Sequence, residues 1–211
     1  MSFGGTDMYA TLDEASVPPL VLAAVAAARE LDFPLCVHPA TGGLLRVLAA
    51  GVPPGGRIGE AGTGTGAGLA WLVSGADSSV SLLSVESDVE RADAATRVFA
   101  DLDNVTVLKG DAGDVYNSGP FDLFIHDGGW GVGKNGGDLV DPAELLVEGG
   151  TMTVDDFTPT QEWPMMFNGE SDEARNHWLT RPGMLATEVR VAANMSVVVA
   201  RRTTGAAARS L

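Results

Sequence analysis

The chain has 211 residues, of which 45% are hydrophobic and 19% charged, and its formal net charge is −15. These values are typical of one soluble globular domain, and the acidity argues against nucleic-acid binding, because the 13 Lys and Arg residues form no basic stripe. No signal peptide or bilayer-spanning run is recognisable, and the lone Cys36, which we expect to be buried, excludes an internal disulfide. We therefore expect a cytoplasmic protein with a small-molecule partner, without nucleic acid or membrane.

The N-terminal part of the chain predicts two helices that follow a loose arm. Residues 1–16 are polar and contain glycine, so we expect them to be loose or to depend on a partner for order. An alanine-rich run after Pro18 and Pro19 predicts the first helix. The second helix follows His38, which we interpret as its cap, and ends at Gly51.

Apolar strands and helical patterns then alternate along the chain. The predicted strands are residues 57–60, 81–85, 104–109, 121–126 and 151–154. The predicted helices are one that follows the glycines and ends near residue 73, one over residues 88–103, one over residues 138–150 and one of about ten residues after residue 168. Residues 185–194 and 195–202 predict an antiparallel pair of strands at the sheet edge.

The strand interiors are apolar rather than alternating, which is typical of a parallel sheet covered on both faces. The predicted fold class is therefore α/β: a Rossmann-like, doubly wound and mostly parallel sheet with a terminal antiparallel β-hairpin and helices on both faces. We divide the chain into an N-terminal arm and helix (residues 1–35), a main domain (36–204) and a flexible tail (205–211).

Each strand before the hairpin ends in an acidic group. These groups are Glu60, Glu86, Asp111, Asp127 and the pair Asp155–Asp156. Ligands of such sheets bind outside the carboxyl ends of the strands. Carboxylates gathered at one edge repel each other unless a cation, a donor-rich ligand or solvent meets them.

The stretch RIGEAGTGTGAG, residues 57–68, predicts a strand, a glycine turn and a helix N-terminus, which together suit a nucleotide-like ligand. Two interpretations compete. The pattern GxGxxA, with Glu86 downstream for a ribose, fits a dinucleotide. However, Glu60 stands two residues before Gly62 and would face a pyrophosphate unfavourably, so it favours a ligand that carries a cationic amino group.

The motifs GEAGTGTG, SVES, GDAGD and FDLFIHDGG, in this order, resemble the class I S-adenosylmethionine-dependent methyltransferases over roughly residues 36–200. HPATGGLLRVLA resembles the catechol-type small O-methyltransferases, and HDGGWGVGKNGGDLV followed by LLVEGGTMTVDD resembles a related small-molecule branch. There are departures: Asp156 replaces an Asn, Lys134 comes seven residues after Asp127, and Trp130 replaces a His. The resemblance also implies the terminal hairpin.

The resemblance implies a set of ligand contacts. The amino acid end of S-adenosylmethionine would meet Glu60, Gly62, Gly64 and Gly66, with amides or hydroxyls of Thr63 and Thr65. Glu86 would accept from the ribose hydroxyls, and Asp111 and Ala112 would meet the adenine. Asp127 would border the cofactor and, with Asp155 and Asp156, bind Mg²⁺ or another divalent cation. The candidate general bases are the metal ion itself, Lys134, His126 and His177.

The predicted activity is methyl transfer to a hydroxyl of a small, aromatic or hydroxylated metabolite, with help from the cation. Trp130, Trp163, Met165, Met166 and Phe167 would wall that substrate or form a dimer contact. Two alternatives stay open: an NAD(P)-dependent oxidoreductase that shares the glycine turn, and a methyltransferase-like scaffold without activity. The N-terminal arm and helices also make a homodimer an expectation.

Overall fold

The structure, a computed structural model, describes residues 5–127, 140–161, 165–167 and 169–203, except for the side chain of Phe167. Its strands are β1 (Arg57–Ala61), β2 (Ser81–Glu86), β3 (Val105–Lys109), β4 (Phe121–His126), β5 (Leu146–Phe157), β6 (Met166–Phe167), β7 (Glu170–Ser171), β8 (Met184–Ala192) and β9 (Met195–Arg202). Its helices are α1 (Gly5–Met8), α2 (Pro19–Glu30), α3 (Pro39–Ala50), α4 (Ala67–Gly75), α5 (Val89–Val98), α6 (Ala112–Tyr116), α7 (Pro142–Leu145) and α8 (Glu173–Thr180).

Seven strands form one sheet in the order β3-β2-β1-β4-β5-β9-β8. The first five strands in this order pair in parallel, and β9 inserts antiparallel between β5 and β8. One buried apolar cluster joins the sheet to α2–α5, and a second joins it to α6–α8. The predicted fold class is confirmed, including the terminal hairpin. None of the helices in the described part of the chain combines the length and apolarity that crossing a bilayer requires.

The predicted loose arm is wrong for residues 5–16. Tyr9 is only 4% exposed and belongs to the first apolar cluster. Its hydroxyl donates to the Val37 carbonyl at 3.0 Å and accepts from the Trp71 indole nitrogen at 2.9 Å. The polar composition of the segment conceals one buried aromatic residue whose hydrogen bonds are fully met, and that residue fastens the segment to the core.

The helix predicted over residues 138–150 is also wrong where the structure describes it. Only α7 is helical, and its capping residue Asp141 accepts from the Ala143 amide at 2.9 Å. Leu146 already pairs with Phe121 of β4 and is fully buried, so β5 begins five residues before the predicted strand. Pairing with the sheet overrides the local helical pattern here.

Candidate functional site

The carboxyl ends of β1 to β4 open onto one cleft of about 820 Å³, a volume in the usual range for small-molecule sites. The predicted site residues that line the cleft are Gly62, Thr63, Gly64, Thr65, Glu86, Asp111, Ala112, Asp127 and Asp156. The sheet thus brings most of the predicted residues to one place, as expected for the switch point of a doubly wound sheet, where strand order reverses beside β1.

The glycine turn, residues 62–66, links β1 to α4 and needs glycine at its alternate positions. Gly62, Gly64 and Gly66 have φ values of 100°, 55° and 97°, which side chains other than glycine rarely adopt. A Cβ on Gly66 would lie 2.6 Å from the ring of Phe99, so α5 packs directly against the turn at this point. Gly66 therefore shapes the turn and, unlike Gly62 and Gly64, is not a lining residue of the cleft.

Most polar groups of the glycine turn are bonded within the protein. The Gly62 and Thr63 amides both donate to the Val85 carbonyl, at 3.0 and 3.1 Å. The Thr65 hydroxyl donates to the Ala24 carbonyl of α2 at 2.9 Å, and the Thr63 hydroxyl lies 2.5 Å from the Ser84 hydroxyl. Both hydroxyls thus hold the turn in place, both threonines also line the cleft, and their contacts with a ligand stay a prediction.

Glu60 lies directly beneath the cleft floor and is 1% exposed. Its Oε2 accepts from the Ser84 hydroxyl at 2.5 Å, whereas its Oε1 has no hydrogen-bond partner among the described residues. A Cβ on Gly68, a lining residue of the cleft, would approach Oε1 to 2.7 Å. Burial, opposed in part by the Ser84 hydrogen bond, raises the pKa of Glu60 to about 7.

Glu86, at the end of β2, is held by donors on both of its oxygens. Oε2 accepts from the Gly64 amide at 2.8 Å, and Oε1 accepts from the Asp88 amide at 2.9 Å and from Nη2 of Arg91 at 2.8 Å. The Arg91 guanidinium also lies 5.0 Å from the centre of the Phe33 ring. Oε2 keeps one lone pair for a further donor.

Phe33 and Arg91 line the cleft but were not among the predicted site residues. Arg91 stands five residues after Glu86, in the first turns of α5, and this spacing could have indicated it. Phe33 belongs to the connection between α2 and α3, and no local pattern marks it as a cleft residue.

Asp111 and Ala112 lie at the end of β3, where α6 begins. Asp111 is the capping residue of α6 and it also lines the cleft. Its amide donates to the Asp114 carboxylate at 2.9 Å. The exposed Asp111 side chain thus borders the cleft at a fixed position.

Asp127, Asp155 and Asp156, which we call the acidic cluster, meet at the ends of β4 and β5. One carboxylate oxygen from each lies within 4.8 Å of the others. The pairing of β5 with β9 shifts between Val154 and Phe157, and Asp156 has a φ of 59°, so an irregularity of β5 turns its two aspartates toward Asp127. Burial, followed by the Asp155 charge, raises the pKa of Asp127 well above its usual range.

The candidate bases have different outcomes. His126 is 1% exposed and does not line the cleft. The centre of its ring lies 4.7 Å from that of the Phe124 ring. Its Nδ1 is 3.3 Å from the hydroxyl of Tyr116, and Tyr116 is a lining residue of the cleft. His126 therefore supports the wall of the cleft, and this position does not favour a role as the base. Lys134 lies outside the described residues, as do Trp130 and Trp163. Met165 and Met166 are described, and the cleft is lined without them.

No protein-family model matches the sequence, and no curated protein sequence is detectably similar to it. Three solved structures resemble the whole chain. A methyltransferase from Geobacter sulfurreducens is 21% identical over 95% of both chains, with a TM-score of 0.69. The O-methyltransferase TomG from Streptomyces achromogenes, involved in tomaymycin synthesis and solved with SAM, is 21% identical over 96% of this chain and 97% of its own, with a TM-score of 0.68.

An O-methyltransferase from Bacillus cereus, solved with SAH, is 19% identical and covers 95% of this chain and 98% of its own, with a TM-score of 0.68. At these identities the similarity concerns the backbone. The chain has the Rossmann-like fold of these methyltransferase structures along nearly its whole length.

Proposed function

We propose that the protein transfers the methyl group of S-adenosylmethionine to a hydroxyl of a small molecule, with help from a divalent cation. The observation that carries this proposal is the buried Glu60 carboxylate, which lies beneath the glycine turn and has one oxygen without a hydrogen-bond partner among the described residues. A buried carboxylate of this kind is costly unless a cationic donor reaches it. The amino group of S-adenosylmethionine is such a donor.

The hydrogen bonds of the glycine turn argue against a dinucleotide. A pyrophosphate on a glycine turn needs backbone amides that point at it. Here the amides of Gly62 and Thr63 donate to the Val85 carbonyl, and that of Gly64 donates to Glu86. A diphosphate would therefore find three of these amides occupied and the Glu60 carboxylate below them.

The remaining contacts of the cofactor follow from the strand ends. Glu86 would accept a ribose hydroxyl at Oε2, whose position the Gly64 amide fixes. Asp111 would accept from the exocyclic amine of the adenine, beside Ala112. The methionine end would then reach Glu60 below the floor of the cleft and bring the reactive methyl group toward Asp127, which lies beside β1 through the bond of its amide to the Ala61 carbonyl at 2.9 Å.

The acidic cluster fits a hard divalent cation such as Mg²⁺, because it offers three carboxylates whose oxygens lie within 4.8 Å of one another. Asp127, Asp155 and Asp156 would hold the ion. When bound, such an ion lowers the pKa of a substrate hydroxyl and orients it. The protein's own part is to place the acceptor in line with the sulfonium methyl and to keep water out. Lys134 remains a proposed base.

Ligand binding tests this function. We expect S-adenosylhomocysteine to raise the melting temperature, and NAD and NADP to leave it unchanged. Glu86→Gln should weaken the shift because the amide keeps only one acceptor oxygen, whereas Glu90→Gln, on the exposed surface of α5, should not change it. Stabilisation by NAD or NADP without any effect of S-adenosylhomocysteine would instead favour the oxidoreductase alternative.

A further inference from the structure

Arg175 of α8 is a fully buried cation outside the cleft, at 0% exposure. Its Nη2 donates to the Thr158 carbonyl at 2.6 Å, and its Nε lies 3.1 Å from Oδ2 of Asp172. Its Nη1 forms a longer ion pair with Oε2 of Glu188, at 3.5 Å. The guanidinium also lies 5.0 Å from the centre of the Phe157 ring. One side chain thus joins α8, β8 and the segment that leaves β5.

These contacts converge on the two residues that directly follow Asp156. Arg175 holds the carbonyl of Thr158 and covers the ring of Phe157. The Ser196 hydroxyl of β9 lies 3.2 Å from the Phe157 carbonyl and also bonds to Glu188. The backbone on the C-terminal side of the acidic cluster is therefore fixed by a network of charged and polar groups.

The acidic cluster needs such support for a geometric reason. Asp156 has a φ of 59°, and β5 loses its register with β9 between Val154 and Phe157. A residue other than glycine keeps a left-handed conformation only where its surroundings determine it. When ionised, Asp127, Asp155 and Asp156 also repel one another, because their oxygens come within 4.8 Å. An anchor after Asp156 opposes both effects.

Stability alone does not account for Arg175. Burial of one cation with two carboxylates carries a large desolvation cost, and apolar residues of similar volume commonly give equal stability. We propose that Arg175 is a positioning residue: it fixes the exit of β5 and thereby holds Asp155 and Asp156 in the arrangement that binds the divalent cation. This inference rests on the proposed function.

The test compares Arg175→Lys with Arg181→Lys in the full chain. Lysine keeps the charge but cannot reach Thr158, Asp172 and Glu188 together from one ammonium group. Arg181 is a matched control, because it lies just after α8 and 5.6 Å from the centre of the Trp178 ring. Among the described residues its side chain pairs with Asp141 at 3.4 Å and contacts His177 at 2.7 Å, and neither residue belongs to the exit of β5.

Two affinities are measured for each protein: that for Mn²⁺, from the electron paramagnetic resonance signal of the free ion, and that for S-adenosylhomocysteine, by calorimetry. We expect Arg175→Lys to weaken Mn²⁺ binding by about tenfold or more, as for other groups that orient metal ligands. Its affinity for S-adenosylhomocysteine should stay within about twofold of the wild-type value, because that site is built from the ends of β1 to β3. Arg181→Lys should match the wild type in both.

Ser196→Ala removes only the contact of the Ser196 hydroxyl to the Phe157 carbonyl and its bond to Glu188. This variant replaces Arg175→Lys in the test if Arg175→Lys does not fold. It should weaken Mn²⁺ binding in the same direction. The inference is overturned if a folded Arg175→Lys protein binds Mn²⁺ as tightly as the wild type does, or if Ser196→Ala does so when Arg175→Lys does not fold. It is also overturned if the variant's affinities for Mn²⁺ and for S-adenosylhomocysteine fall together. It is also overturned if the wild type binds S-adenosylhomocysteine but no Mn²⁺. A wild type that does not bind S-adenosylhomocysteine contradicts the proposed function itself.

Discussion

Replacement of Glu60 by glutamine isolates the electrostatic cost of the carboxylate beneath the glycine turn. Burial raises the pKa of Glu60 from 4.5 to about 7 in the folded, ligand-free protein. Each unit of such a difference corresponds to about 1.4 kcal/mol. Once Glu60 is ionised in both states, its burial therefore lowers the free energy of unfolding by roughly 3 kcal/mol.

The direction of the pH dependence follows from proton binding. Between pH 4.5 and 7 the unfolded chain has released this proton while the folded protein still holds it, so stability falls as the pH rises. Above pH 7 both states are ionised and the loss stays constant. Between pH 5 and pH 8 Glu60 thus removes about 2.5 kcal/mol from the free energy of unfolding. Glutamine does not titrate, so Glu60→Gln should lose less stability over this interval by about that amount.

Urea unfolding of the ligand-free proteins, followed by tryptophan fluorescence at several pH values, measures this difference. The raised pKa of Asp127 adds a loss of its own in both proteins, so the quantity to compare is the gap between the two curves. Glu90→Gln, at an exposed position, should run parallel to the wild type. Parallel curves for Glu60→Gln and the wild type would refute the reasoning, because Glu60 would then titrate normally.

Three further predictions concern the same site. The affinity for S-adenosylhomocysteine should be about tenfold weaker at pH 6 than at pH 8, because Glu60 must lose its proton before its carboxylate can accept from the ligand's amino group. Calorimetry should find no such pH dependence in Glu60→Gln. A wild-type affinity that does not change with pH would contradict the contact between Glu60 and the amino group. Gly66→Ala should destabilise the fold by about 2 kcal/mol or more in urea unfolding, because φ is 97° and the added Cβ would lie 2.6 Å from the Phe99 ring. The control Gly43→Ala adds a Cβ with no atom within 4 Å and should stabilise α3 by about 0.5–1 kcal/mol. Equal effects of the two substitutions would contradict this account of the turn. Asp155→Asn should abolish Mn²⁺ binding in calorimetry and leave the affinity for S-adenosylhomocysteine unchanged; unaltered Mn²⁺ binding would exclude Asp155 as a ligand.

The strands that carry the cleft could be predicted from the sequence to within about one residue. Strands β1 to β4 are short apolar runs in a sheet covered on both faces, and an acidic residue within two positions of the end of each marks its carboxyl end. Because parallel strands present these ends at one edge, the grouping of Glu86, Asp111 and Asp127 follows from topology. Local patterns were sufficient where each segment's own preference agreed with its place in the sheet.

The remaining features depend on contacts between distant segments. The start of β5 at Leu146 is set by pairing with Phe121, and residues 5–16 are ordered by the hydrogen bonds of Tyr9 to residues far along the chain. The hydrogen bonds that join the Thr63 and Thr65 hydroxyls to Ser84 and Ala24 likewise connect the glycine turn to distant segments, and no local pattern indicates them. The burial of Arg175 has no local signal, because a lone arginine on a short polar helix ordinarily faces solvent.

A crystal structure of the protein with S-adenosylhomocysteine tests the central claim most directly. We expect the amino group of the ligand within about 3 Å of a Glu60 oxygen and a ribose hydroxyl within the same distance of Glu86. A ligand bound elsewhere, or one that lies in the cleft with its carboxylate rather than its amino group toward Glu60, would contradict the account.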